Sequence, residues 1–158
     1  FKPYIYLTTD YGKTWKLITN GIPVDYATRV VREDSNKAGI FYAGTEFGLF
    51  ISLNDGANWQ SFQLNLPTVP ITDLLVKNKD LVLSTQGRSF WILDNLNPVY
   101  ELKNDKQFTL FQPSIAYRTQ LGGFYGPGAP TPAPNGALID FYLPDDFTEQ
   151  EKVTLQLY

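Results

Sequence analysis

Thr8-Thr9-Asp10-Tyr11-Gly12-Lys13-Thr14-Trp15 returns as Ser52-Leu53-Asn54-Asp55-Gly56-Ala57-Asn58-Trp59, with every position displaced by 44 residues. A fixed period of this size marks stacked supersecondary units, each too small to bury its own apolar face. The correspondence runs outward from the turns. Ile22-Pro23 falls on Leu66-Pro67, Val30-Val31 on Leu74-Leu75, and Ile40 to Thr45 on Leu81 to Thr85.

Each unit reads as four short strands. In the central one they are expected near 28–32, 40–43, 49–53 and 58–63, separated by the turn-forming groups Asp34-Ser35-Asn36, Glu46-Phe47-Gly48 and Asn54-Asp55-Gly56. Four antiparallel strands per repeat of about 40 to 45 residues is the pattern of a propeller blade. The chain enters in mid-unit, with 4–8 and 15–18 as the third and fourth strands of a preceding blade. A third unit runs from Ile71 through 81–84 and 90–93, where Leu93-Asp94-Asn95 is a decayed copy of the turn and the outer strand is unassigned. About two and a half blades are therefore expected over residues 1–118.

Beyond Leu96 the pattern changes. The Gly- and Pro-rich stretch within 119–136, Gly122-Gly123-Phe124-Tyr125-Gly126-Pro127-Gly128 and onward, reads as an extended linker. Two strands, 137–143 and 153–157, joined by an acidic loop with Asp145, Asp146, Glu149 and Glu151, are expected to open a second β domain over 137–158. The class is all-β: a partial β-propeller, a connector and the start of a β-sandwich.

Composition narrows the chemistry. The 158 residues include no cysteine, methionine or histidine, which removes disulfides, thiolates, imidazole bases and the usual zinc ligand sets. No cofactor or metal is expected. With 13 Lys+Arg against 16 Asp+Glu, no basic stripe is available to neutralise phosphates, so nucleic acid is disfavoured as a partner. No apolar run approaches the roughly 18 residues of a membrane helix. The missing methionine suggests that Phe1 is not the biological start.

The turn fits the Asp-box pattern S/T-x-D-x-G-x-T-W, complete in the first copy and altered to Asn54 and Asn58 in the second. With 42–50 (Tyr-Ala-Gly-Thr-Glu-Phe-Gly-Leu-Phe) and 85–94 (Thr-Gln-Gly-Arg-Ser-Phe-Trp-Ile-Leu-Asp), the chain resembles bacterial sortilin-like Asp-box (BNR-repeat) propeller proteins, often labelled glycosyl hydrolases. The resemblance spans roughly residues 4–118, and 137–157 look like the opening of the immunoglobulin-like sandwich that follows the propeller in such proteins. It implies an extracytoplasmic setting, with the remaining blades and the sandwich of the same parent polypeptide as partners and a carbohydrate or peptide as possible ligand. Three functions follow from it: a non-catalytic binding or scaffolding fragment, part of a glycoside hydrolase acting on β-glucan-type polysaccharide with its main acids elsewhere, or a peptide-binding propeller.

The repeated turn itself reads as structural. Asp10 accepts from its own backbone, Gly12 permits positive φ, and Trp15 packs into the blade, as Asn54, Gly56 and Trp59 do in the second copy. The ligand face is expected at the other end, where the entry to the innermost strand meets the turn between the second and third strands. Arg29 aligns there with Asp73, and Glu46 with Gln86 beside Arg88. Such groups can bond sugar hydroxyls while Tyr26, Phe47 or Phe124 stack on ring faces; the plainer alternative pairs Arg29 with Asp73 inside a channel. Asp73 and Glu46 are the only weak candidates for catalytic carboxylates, because glycoside hydrolysis needs two. Asp25 and Asp80 read as loop residues. Gly87 is expected to permit a hairpin turn, Phe90 and Ile92 to face inward, and Arg88 to tie the last blade to its neighbour or to bind ligand.

Overall fold

The computed structural model describes residues 1–102, 107–116, 136–144, 146–148 and 152–156. Contacts divide the chain into two compact units, Phe1–Asp94 and Asn95–Tyr158.

The first unit is all-β and holds three antiparallel sheets. β1 (Tyr6–Leu7) pairs with β2 (Lys16–Leu17). A four-stranded sheet follows in the order β3 (Thr28–Glu33), β4 (Phe41–Thr45), β5 (Gly48–Ser52), β6 (Gln60–Ser61). A three-stranded sheet takes the order β7 (Ile71–Lys77), β8 (Asp80–Thr85), β9 (Phe90–Leu93). Every strand neighbours the next in sequence, so each sheet is a meander built on short turns.

Burial shows how the sheets are layered. β5 is buried at all five positions and β4 at four of five, with none of the alternation expected of a one-sided strand. Both faces are therefore covered. On one side Ile5 and Ile18, at the ends of the first hairpin, and Ile22 in the turn after it meet Ala43, Phe50 and Trp59. On the other, β7 packs against β3 and β4. That approach is close enough that a Cβ on Gly44 would stand 2.7 Å from the Ile71 Cγ2 and 2.8 Å from the Val30 Cγ1. β9, by contrast, alternates exposed and half-buried, as a strand with one covered face must.

Loops repeat with the sheets. Asn36, between β3 and β4, donates to the carbonyl of Asn78 in the matching β7–β8 turn. Asp34 is buried, accepts from the Asn36 and Lys37 amides at 2.8 and 3.2 Å, and takes the Tyr42 hydroxyl at 3.0 Å, fixing the β3–β4 turn from inside.

The second unit contains α1 (Asn97–Glu101), with Pro98 in its first turn where no amide is needed, and the pair β10 (Thr109–Leu110) with β11 (Phe141–Tyr142). Asn95 organises its start: Oδ1 accepts from the Asn97 amide and the Ser114 hydroxyl, and Nδ2 donates to Asp140.

Four sequence expectations change here. The strand expected at 137–143 shortens to Phe141–Tyr142, ahead of Pro144, and pairs with Thr109–Leu110, while residues 152–156 form no strand. Phe90 and Ile92 do not face inward; they are 76% and 59% exposed, and Trp91 and Leu93 turn in instead. A slip of one residue inverts a strand's faces, and the register Leu83↔Trp91 sets which way this one points. Trp15 is 60% exposed and does not pack into a sheet, whereas Trp59 is 4% exposed. The linker interior, 119–135, with Phe124, and Asp145, Glu149 and Glu151 lie outside the described residues. Among the described residues no helix is long and apolar enough to cross a membrane.

Candidate functional site

The two copies of the repeated turn share one hydrogen-bond scheme. In the first, the Thr8 hydroxyl donates to Asp10 Oδ1 at 2.9 Å and accepts from the Gly12 amide at 2.8 Å, while Asp10 Oδ1 takes the Thr14 amide at 2.8 Å. In the second, Ser52 Oγ donates to Asn54 Oδ1 at 3.0 Å and accepts from the Gly56 amide at 3.0 Å, and Asn54 Oδ1 takes the Asn58 amide at 2.9 Å. Both loops pass through left-handed backbone, at Tyr11-Gly12 and Asp55-Gly56, and glycine supplies the second position without a Cβ penalty.

The difference between them is charge. Asp10 also accepts the Thr14 hydroxyl at 2.6 Å, and the Thr14 side chain and amide together hold its carboxyl down to about 2 from the ordinary 3.8. Asn54 makes the shared bonds as a neutral amide, so the turn needs the acceptor oxygen and not an acid.

The tryptophans finish differently. The Trp59 indole N–H reaches across to the Ile18 carbonyl at 2.7 Å, and its backbone amide to Asn20 at 2.8 Å, binding β6 to the first hairpin. The Trp15 indole closes on its own turn at Gly12 O, 3.1 Å away.

β5 separates this turn from the candidate ligand end. It begins at Gly48, beside Glu46-Phe47, and ends at Ser52, the first residue of the turn. At the Glu46 end the Arg29 guanidinium sits 2.8 Å from the Glu46 carboxylate, and the Glu46 amide donates to Ala27 O at 3.0 Å. Arg29 projects from a bulge between Thr28 and Val30, where the register with β4 slips. The Thr28 hydroxyl oxygen beside it is buried with no hydrogen-bond partner among the described residues. Tyr26 and Phe47 pack ring on ring at 4.9 Å, tilted by 52°.

The next sheet repeats the arrangement with other residues. The Gln86 amide donates to Pro70 O at 2.9 Å, as that of Glu46 does to Ala27, and the Arg88 amide donates to Thr85 Oγ1 at 3.2 Å. Gln86 and Arg88 are exposed, and the Arg88 guanidinium forms no ion pair with a described residue. The Trp91 indole accepts nothing and donates to the Arg88 carbonyl at 2.9 Å, steadying the turn through Gly87.

Asp73 is where the alignment and the geometry part. The bulge in β7 falls between Ile71 and Asp73, so Thr72 occupies the place of Arg29 and Asp73 that of Val30. Asp73 pairs with Arg32 of β3 at 2.9 Å, not with Arg29. Sequence reading missed Arg32, because a strand residue with no counterpart in the repeat gave no signal. It also missed Gln63, whose Oε1 accepts from the Leu49 amide at 3.1 Å while Nε2 donates to the Leu66 and Pro67 carbonyls.

The structure thus places Arg29 with Glu46, keeps Gln86 and Arg88 at the corresponding turn of the adjacent sheet, and sets Asp73 apart in a separate, more exposed pair. Among the described residues no three carboxylates gather in a way that could hold a metal ion. No known family, curated protein sequence or solved structure matches the chain.

Proposed function

We propose that the chain belongs to an Asp-box β-propeller and serves as a non-catalytic binding or scaffolding part of a larger extracytoplasmic protein. The three meander sheets, stacked with like loops together, are its successive blades. What carries the functional half of the reading is the arrangement of the nominated carboxylates: Glu46 is ion-paired with Arg29 and Asp73 with Arg32, in two separate pairs and not facing one another as an acid and base. Paired in this way they still offer oxygens and N–H groups to a ligand's hydroxyls, beside the Tyr26–Phe47 rings.

The test is incubation with β-glucan oligosaccharides, following both binding and reducing-end release. Binding without release is expected, weakened by Glu46→Gln. Sustained hydrolysis that disappears in Glu46→Gln or Asp73→Asn would replace this reading with a glycoside hydrolase.

A further inference from the structure

One space between sheets is filled in the first repeat and open in the second. In the four-stranded sheet Trp59 lies among Ile5, Ile18, Ile22, Ala43 and Phe50, and Phe41 packs against the same group. The period carries Ile5, Ile18 and Ile22 onto Leu49, Phe62 and Leu66, each 44 residues on. The strand registers carry the rest: Ala43↔Phe50 recurs as Leu83↔Trp91, and Phe41↔Ser52 as Leu81↔Leu93. Leu49, Phe62, Leu66, Leu81, Leu83 and Trp91 all line one open, mainly apolar cavity of about 40 Å³.

The missing member is the counterpart of Trp59. Among the described residues the sheet β7-β8-β9 has no fourth strand. Counting on from Asn95, which stands where Asn54 does, arrives at Tyr100 inside α1 and not at a strand residue. Among the described residues the outer edge of β9 therefore has no strand partner, and such an edge is a template for backbone pairing.

We infer that this edge and cavity form a strand-addition site for a partner polypeptide, in which an extended segment pairs antiparallel with β9 and seats one branched aliphatic side chain in the cavity. The filled copy supplies the geometry, since β6 lies on β5 in this way and sends Trp59 into the matching space. Backbone bonds along the edge give affinity, and the cavity selects the side chain. The walls decide its size: Leu83 replaces Ala43 and Trp91 replaces Phe50, so part of the room an indole takes in the first repeat is already occupied in the second. A leucine or isoleucine fits what remains.

The rim adds a second constraint. Gly21 admits the Trp59 carbonyl so closely that a Cβ there would lie 2.1 Å from it, whereas its counterpart Asn65 carries a Cβ. The incoming backbone must stand off from the 63–66 turn, which limits affinity. This assignment rests on the registers and the cavity, not on the propeller reading.

The probes are three synthetic peptides of residues 56–63 in which the tryptophan position is leucine, tryptophan or aspartate. Each is titrated into the full chain while the Trp91 indole and β9 amide signals are followed by NMR. The leucine peptide should saturate these signals and the tryptophan peptide bind more weakly, with the aspartate peptide at least ten-fold weaker than leucine. Asn65→Gly should tighten the leucine peptide several-fold. Leu64→Asn, which keeps the positive φ of that rim residue but removes its apolar surface, should weaken it. Equal affinity for all three peptides, tightest binding by tryptophan, or no saturable change would overturn the proposal. So would self-association of the chain that the leucine peptide or Leu64→Asn abolishes, because the occupant would then be a second copy.

Discussion

Asp10 and Asn54 hold equivalent turns with the same accepted amide, so the charge on Asp10 is an addition to the turn and not its basis. That charge has a pH signature. A carboxyl depressed in the folded state stabilises fully above its ordinary value and loses that contribution as pH falls through the folded one, here from near 3.8 down to about 2. Carboxyl NMR should find Asp10 titrating near the lower value, and Asp10→Asn should remove the loosening of this turn below pH 4 while leaving the second turn unchanged. A normal titration of Asp10 would mean that the Thr14 bonds are not kept in solution. The tryptophans give a matched pair. Trp59→Ala, at a buried position, should cost about 3–5 kcal/mol in chemical denaturation, whereas Trp15→Ala, largely exposed, should cost below about 1 kcal/mol.

At the scale of elements, packing between sheets depends on one missing side chain. Gly44→Ala puts a methyl group against Ile71 and Val30 and should destabilise by about 1–3 kcal/mol, because both neighbours belong to strands that cannot shift freely. A neutral Gly44→Ala would show that β4 and β7 stand further apart than described. The strands themselves were legible, because turn residues bracket them and the period repeats. The faces of β9 were not, since Phe90-Trp91-Ile92-Leu93 is apolar throughout and alternation cannot choose a side. The offset between β3 and β7 was hidden for a related reason: both strands carry the same bulge, but the connection from Pro67 into β7 is one residue shorter than that from Pro23 into β3, which is why Asp73 looked like a partner for Arg29 and is one for Arg32. Turn residues announce themselves through backbone chemistry, while an ion pair between sheets depends on a register that no local pattern encodes.

For the first unit as a whole, the stack ends in apolar surface at both ends. Leu75, Phe90 and Ile92 are exposed on the last sheet, and Tyr4, Tyr6, Trp15 and Leu17 on the first hairpin. Surfaces of this kind favour association. Sedimentation of the isolated chain should show a concentration-dependent increase in mass that Trp15→Ala or Leu75→Lys reduces, and a strict monomer at high concentration would contradict it. The repeated turn located the repeat in the sequence, and its Thr8, Asp10, Ser52 and Asn54 side chains bond within their own turns, which leaves the Arg29, Glu46, Gln86 and Arg88 end as the proposed place for ligand. Backbone NMR shift mapping with a panel of β-glucan oligosaccharides tests that division most directly. The account expects saturable changes gathered at 26–29, 46–47 and 86–88 with the turns at 8–15 and 52–59 silent; changes centred on those turns, with the Arg29–Glu46 end unmoved, would contradict it.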